Sequence, residues 1–587
     1  MPHSCNKEGV LEIEAEVTRY RASLYVIPDT AQRLLRRIAS MKIWSDFLSY
    51  LNNIHDGYVS HVERILSGTH NDDGNDIRNS LDGYIPNDRY YYDSECVKGG
   101  DCLVGSYYDT QPHFPLDQEY ILHVTEHYLQ IASTLHMQVC DASHWLISNP
   151  IEAGKIAVID EEAFSLLGNF RVPKTVQEIV TEGLSVVSLL PAVLAFLDLG
   201  FLRDLDQAPV ACSEKSGAST LSAWLHITNA CNLRCHYCYV SKSSDHMEQE
   251  TSQRAVDAVI RSAVRHGYRG VHLKYAGGEA ALQMPQVIAT HDYAQQQAQE
   301  HHLRLSASLL SNGTIMTQRM IEQLKERHIY VMISLDGIGE AHDQQRPYIN
   351  GVKGSFAMVD HTISRLLAND LRPSINVTVS QRNIANLSIL LSYILERDLY
   401  FSLSYYREND CSSSMIDLQF SEKQMIDGMR AAFAYIEEHL PRRRIIDSLI
   451  DKGDMHAPHH YTCGIGRDYL VINQRGEVAK CQADITRTVT TIQADDPLQE
   501  IRSERAGIQA IDVDHKEGCK TCTWRYWCGG GCPLVTYRMT GRNDLRSPNC
   551  AIYKALFPET VRLEALRLLT YETPIVFESP SLGRAKK

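Results

Sequence analysis

Short apolar runs and longer amphipathic runs alternate along residues 222–406. The apolar runs fall at 224–228, 271–275, 303–309, 329–335, 372–379 and 401–405, and their length and composition predict strands. The intervening stretches at 252–266, 285–300, 317–326, 355–367 and 384–396 carry apolar residues at helical spacing. Strand–helix alternation of this kind requires a mainly parallel sheet with helical crossovers. Six units predict an α/β fold, a partial (β/α)6 TIM barrel over 220–410. Functional loops of such barrels gather at the C-terminal ends of the strands. That rule brings Cys231, Gly277, Asn312 and Asp336 to one mouth.

The pattern changes on either side. Residues 141–207 predict a small winged-helix-like module, with strands at 145–147 and 155–159 and helices at 160–167, 175–180 and 187–198. It carries few basic side chains, so an extended peptide on an exposed strand edge suits it better than DNA. A Ser-, Ala- and Gly-rich linker at 208–219 follows. In 1–140, strands are expected within 9–27 and helices at 30–51, 61–66 and 116–136. The polar stretch 71–109 reads as a long loop or lid, and no role is assigned to this N-terminal region. Downstream, a helical bridge spans 411–462, a cysteine-rich domain 463–560, and a tail 561–587.

Composition narrows the chemistry. The chain of 587 residues has 44% hydrophobic residues and a formal charge of −14. No Lys/Arg run suggests a nucleic-acid groove. The most apolar stretch, 189–202, is broken by Asp198 and is too short for a bilayer. With no apolar segment behind Met1, the expectation is a cytoplasmic protein with no membrane partner. Its 16 cysteines then point to metal or iron–sulfur binding rather than disulfides. Cys96, Cys102 and Cys140 stand alone and read as core or surface thiols.

Directly after the first barrel strand stands Cys231-Asn232-Leu233-Arg234-Cys235-His236-Tyr237-Cys238. Three thiolates can hold three irons of a four-iron cluster, which usually takes four. The open iron suits a chelating ligand such as S-adenosylmethionine, through its amino and carboxylate groups. A structural zinc site with His236 as fourth ligand is the competing reading, but C-x2-C, not C-x3-C, dominates zinc fingers. The C-x3-C-x2-C spacing with Tyr237 before the last cysteine resembles the radical S-adenosylmethionine superfamily. Gly277-Gly278-Glu279 stands where that family has its Gly-Gly-Glu motif. The resemblance implies that these three residues hold the methionine amino group, and that Asn312 and Ser334 lie near the nucleoside or methionine portion. Asp336 reads as a turn former before Gly337.

The C-terminal block holds Cys463, Cys481, Cys519, Cys522, Cys528, Cys532 and Cys550. Its spacing resembles the SPASM extension of peptide- and protein-modifying radical enzymes. By that resemblance Cys519, Cys522, Cys528 and Cys550 ligate an outer auxiliary cluster, and Cys463, Cys481 and Cys532 an inner one, giving three [4Fe-4S] clusters in all. Where some members carry a further inner cysteine, this chain has Ala457. Either one inner iron is open, or His456, His459 or His460 binds it. Two zinc sites are the alternative for the block. Trp524, Tyr526, Trp527 and Tyr537 read as packing around clusters, and Gly529, Gly530 and Gly531 as a tight turn.

The 141–207 module, through Trp145, Leu146, Ile159, Asp160, Ala163, Leu166, Leu167 and Phe170, resembles the PqqD-like leader-recognition domains of ribosomal peptide maturases. Together the resemblances cover about residues 141–560. They imply a radical enzyme that takes an electron from an external reductant such as flavodoxin or ferredoxin. It would abstract hydrogen from a ribosomally made precursor peptide and form a thioether, carbon–carbon or ether crosslink. Alternatives are a sulfatase-type maturase forming formylglycine and a peptide epimerase with Cys411 as hydrogen donor. The formylglycine pattern has Asp directly after the cysteine of the G-x4-C step; this chain has Gln482, with Asp484 two residues on. A non-catalytic scaffold is a further alternative, opposed by the intact first motif.

Overall fold

The computed structural model describes residues 20–26, 124–152, 155–181, 186–207, 219–351, 354–572 and 575–579. The helices expected at 30–51 and 61–66, the loop at 71–109, Cys96, Cys102 and nearly all of the 208–219 linker lie outside these residues. The described chain divides into two compact units, one reaching residue 207 and including the C-terminal strand, the other running from 219 to 567.

The first unit contains strands β1 (Tyr20–Val26), β2 (Leu129–Ile131), β3 (His136–Val139), β4 (His144–Ser148), β5 (Ile156–Asp160) and β6 (Leu202–Asp204). Its helices are α1 (Glu161–Gly168), α2 (Val176–Thr181) and α3 (Val186–Asp198). Asp160 caps α1 by accepting from Ala163 N at 2.8 Å, a contact worth about 1 kcal/mol. Ile147, Ile159, Leu166, Phe170, Val193 and Phe201 share one buried core. One expectation fails here. The helical pattern at 116–136 gives way to strand at β2, because Leu129 bonds to Lys174 and pairs across β6; tertiary pairing overrides a marginal local preference. The sheet edge beside β5 is also filled. β1 pairs antiparallel with β5, Leu24 opposite Ile159, and the C-terminal strand Ile575–Ser579 pairs with β1. The order is C-terminal strand–β1–β5–β4–β3. The residues at 575–579 are therefore sheet, within the expected tail.

The second unit is built on β7 (Thr220–Thr228), β8 (Gly270–Gly277), β9 (Arg304–Ser311), β10 (Ile329–Ser334), β11 (Ser374–Val379) and β12 (Tyr400–Tyr405), each pairing parallel with the next. All residues of β7 are buried, as befits a strand covered on both faces. Helices α4 (Gln249–Arg265), α5 (Met284–Glu300), α6 (Gln318–Glu326), α7 (Phe356–Ala368) and α8 (Leu387–Glu396) form the crossovers. On α4, Ser252, Ala255, Val256, Val259 and Ala263 make the buried stripe, at the spacing of one helix face. This is a mixed α/β fold with a partial radical-type barrel. The sheet does not stop at the barrel: β13 (Tyr469–Ile472) joins parallel to β7, and β14 (Glu477–Ala479) and β15 (Thr488–Thr491) continue antiparallel. α9 (Glu422–Glu438) lies in the expected helical bridge, and α10 (Cys550–Tyr571) runs past residue 560.

Candidate functional site

The barrel mouth is organised by the loop that leaves β7. Leu233 is fully buried and anchors that loop inward. The backbone N–H groups of Arg234 and His236 donate to Pro347 and Gln345 at 2.8 and 3.1 Å. Arg234 Nη1 donates to the carbonyls of Cys231 and Leu233 at 3.0 and 2.9 Å. The three thiols stay partly exposed and are electrostatic neighbours of one another. Burial pushes Cys231 up and Cys235 up to about 12, so metal loading here must release protons.

Gly277-Gly278-Glu279 clamps this loop from the next strand. Gly278 N donates to Thr228 O at 2.6 Å and Glu279 N to Ala230 O at 2.9 Å. A Cβ on Gly277 would lie 2.4 Å from Thr228 O, and one on Gly278 2.3 Å from Ala230 O. The close approach that demands glycine is thus to the backbone just before Cys231. Glu279 is 1% exposed. It accepts from Ala281 N, Ser311 Oγ and Asn312 N at 3.0, 2.9 and 2.6 Å. Burial raises its carboxyl above the ordinary value, and these bonds oppose the rise. Asn312 turns its amide onto the motif, Nδ2 donating to Asn232 Oδ1 at 2.9 Å and to Cys231 Sγ at 3.8 Å. Ser334 ends β10 and is half-buried.

Asp336 has more than a turn-forming part. Its Oδ1 accepts from Thr378 N at 2.7 Å, and its Oδ2 accepts from the Tyr237 hydroxyl and lies 3.3 Å from Arg346 Nη1. Arg346 also donates to the Tyr237 hydroxyl. Both charged residues are buried, and Arg346 acts electrostatically on Cys235. His236 is engaged elsewhere: its Nδ1 lies 2.7 Å from Arg382 Nη1. An imidazole facing a guanidinium is poorly placed to hold zinc. Cys411 is exposed, with Sγ 3.7 Å from Tyr239 O.

The C-terminal cysteines fall into two groups. Cys519, Cys522, Cys528 and Cys550 line one pocket, with Trp524 and Phe557 in its wall; the two rings stack at 5.3 Å. Cys550 starts α10. Cys463, Cys481 and Cys532 sit in a separate apolar cluster with Ile465, Ile508 and Leu534. Gly529, Gly530 and Gly531 have φ of +57°, +82° and +73°, a left-handed run that side chains rarely adopt. Thr462 Oγ1 donates to the carbonyls of Gly529 and Gly531 at 2.8 Å each. The histidines near 457 are turned to other contacts: His459 Nδ1 lies 3.3 Å from Ala457 O, and His460 Nδ1 3.1 Å from Asp512.

Residues 225–382, which take in β7 to β11, match the Radical SAM superfamily. The chain carries a radical SAM domain. Its cysteine-rich C-terminal region is a SPASM-like extension. A cysteine-type anaerobic sulfatase-maturating enzyme of Clostridium perfringens is 22% identical over 52% of this chain and 86% of its own length. A PqqA peptide cyclase of Bradyrhizobium diazoefficiens is 22% identical over 58% and 90%. The chain spans only 57%, 41% and 38% of three other curated relatives. The solved structure of anSMEcpe with bound AdoMet and Cp18Cys peptide is 18% identical, with TM-score 0.48, covering 59% of this chain and 98% of that one.

Two features escaped the sequence reading, one at the barrel mouth and one among the C-terminal cysteines. Arg346 stands 109 residues from the Tyr237 it contacts, in a stretch with no motif. Lys516, 1% exposed, acts electrostatically on Cys519 and Cys528 and also on Cys463 and Cys532. A buried ammonium needs anionic company, but its spacing in the sequence advertises nothing. Among the described residues no helix is long and apolar enough to cross a membrane.

Proposed function

We propose that this radical SAM enzyme carries three [4Fe-4S] clusters and oxidises a side chain in a peptide or protein substrate. The observation that carries the reading is the sorting of ten cysteines into groups of three, four and three, one at the barrel mouth and two beyond it. With S-adenosylmethionine and a cluster held at Cys231, Cys235 and Cys238, the site would supply, on one-electron reduction, a radical able to take hydrogen from an unactivated carbon. The chain's own groups prepare that site. Glu279 spends three acceptor positions on Ala281, Ser311 and Asn312, and of its roughly four lone-pair sites the remaining one is available to an amino group. The Asp336–Tyr237–Arg346 network fixes the ring before Cys238. An external flavodoxin- or ferredoxin-type protein supplies the electron.

Oxidation of a cysteine-type residue, as in formylglycine formation, has the more direct support from relatives, since three of the matched proteins are cysteine-type sulfatase-maturating enzymes. Crosslinking of a ribosomal precursor peptide is the second reading. It is favoured by the leader-recognition likeness of residues 141–207 and by the site beside Cys481. There Gln482 replaces the expected carboxylate, and Asp484 is tied to Arg538 Nη2 at 3.2 Å. With its β5 edge filled, the module offers a leader the β3 edge, where Met137 and Val139 are exposed.

Mass spectrometry of a cysteine-containing substrate peptide, incubated anaerobically with S-adenosylmethionine and reductant, tests the proposal. Replacement of sulfur by oxygen together with loss of two hydrogens establishes formylglycine chemistry. Loss of two hydrogens with sulfur retained establishes a crosslink. Unchanged mass in ordinary water, with gain of one deuterium in heavy water, marks epimerisation. Failure to release deoxyadenosine under any condition defeats all three.

A further inference from the structure

Arg407 follows β12, the last barrel strand, and its side chain is 20% exposed. Its guanidinium is held on three sides. Nη2 donates to both Asp451 oxygens at 2.8 and 3.0 Å, and Nη1 donates to Tyr405 O at 3.1 Å. The N–H on Nε donates to Cys532 Sγ at 3.4 Å. Asp451 is 3% exposed, so a buried carboxylate grips one guanidinium nitrogen with both oxygens and fixes the direction of Nε. Lys452, the next residue, has φ +63°, a left-handed backbone that costs about 1 kcal/mol or more in a residue with a side chain. It acts electrostatically on Cys463, Cys481 and Cys532 alike. Two cationic side chains therefore face the inner thiol group. Tyr239 interacts electrostatically with Cys238 of the barrel mouth and with Cys481 and Arg407.

We propose that Arg407, oriented by Asp451, is a positioning residue that sets the reduction potential of the inner auxiliary cluster through its N–H···S contact with Cys532. The inference rests on the reading that Cys463, Cys481 and Cys532 hold that cluster. Hydrogen bonds and charge at the sulfurs are principal determinants of iron–sulfur potentials. A donor with positive charge stabilises the reduced, more negative form and raises the potential. Asp451 both aims the guanidinium and partly cancels its charge, so the two residues act with opposite sign.

The test is an EPR-monitored redox titration of the reconstituted full chain, with iron counted in every variant. Arg407→Gln is expected to lower the reduced fraction of the inner cluster at fixed potential on the order of tenfold, about 59 mV for a one-electron couple. Asp451→Asn is expected to shift the fraction the other way, and Arg407→Lys to fall between Arg407→Gln and the native protein. A merely structural pair would move both variants in the same direction and shed iron from both. That result, or an unchanged potential in Arg407→Gln with full iron, overturns the inference. Should Arg407→Gln lose its cluster, the opposite signs of Arg407→Lys and Asp451→Asn decide. Cys463→Ala separates the two claims: if it keeps the native iron content and every EPR signal, the cluster reading itself fails.

Discussion

Replacing Gly278 by Ala probes how the barrel mouth is assembled. The new Cβ would stand 2.3 Å from Ala230 O and 2.6 Å from Asn229 O, both backbone atoms. Ordinary contact begins near 3.4 Å, so the two loops must part by about 1 Å. That displacement breaks or stretches two bonds, Gly278 N to Thr228 O at 2.6 Å and Glu279 N to Ala230 O at 2.9 Å. Two backbone hydrogen bonds at about 0.5–1.5 kcal/mol each, with about 1–3 kcal/mol for overpacking, give about 2–6 kcal/mol. The cost falls on the segment that leads into Cys231. The expected outcome is a lower denaturation midpoint, with loss of the barrel-mouth cluster before the C-terminal ones. Iron counting and EPR of the reduced protein, beside chemical denaturation, measure this. Gly168→Ala is the control, since its Cβ would meet nothing within 4 Å. If Gly278→Ala keeps native iron, native S-adenosylmethionine cleavage and the native midpoint, the two loops are not clamped as described.

Other outcomes follow from the same geometry. Asp336→Ala leaves buried Arg346 without its carboxylate and is expected to destabilise by about 3–5 kcal/mol, with Asp336→Asn milder because an amide still accepts from Thr378 N; denaturation midpoints compare them. Burial, with Lys274 adding to it, pushes His272 from 6.5 down to about 3, so the folded chain refuses a proton that the unfolded chain accepts. Its contribution is intact above 6.5 and is lost as pH falls through the window toward 3, about 2 kcal/mol by pH 5. The denaturation midpoint of His272→Asn should accordingly fall less steeply with acid than that of the native protein. Hydrogen exchange on adding a leader peptide is expected to protect His136–Val139; release of Tyr20–Val26 with protection of Ile156–Asp160 would place the leader on β5 instead.

The barrel was legible because its strands are short, apolar and covered on both faces, so local pattern and tertiary demand coincide. The cysteines were legible because cluster geometry forces spacing. Contacts between distant segments left no such trace. Tyr469–Ile472 reads as a short apolar run inside the cysteine-rich region, and only pairing with β7 makes it part of the barrel sheet. Gly277 and Gly278 were visible as a motif, but their physical reason, backbone contact with residues 228–230, appears only in three dimensions. The same holds for Asp336, a turn former by local sequence and a buried counter-ion in the fold. At 129–131 the helical pattern was too weak to resist pairing with β6.

The central claim is an iron at the barrel mouth that no side chain closes. EPR of the anaerobically reconstituted, reduced protein, recorded before and after adding S-adenosylmethionine, tests it most directly. The account predicts that the cofactor changes one cluster signal, the one missing from Cys235→Ala. A zinc-only protein, or a signal from this site that ignores S-adenosylmethionine, would contradict it.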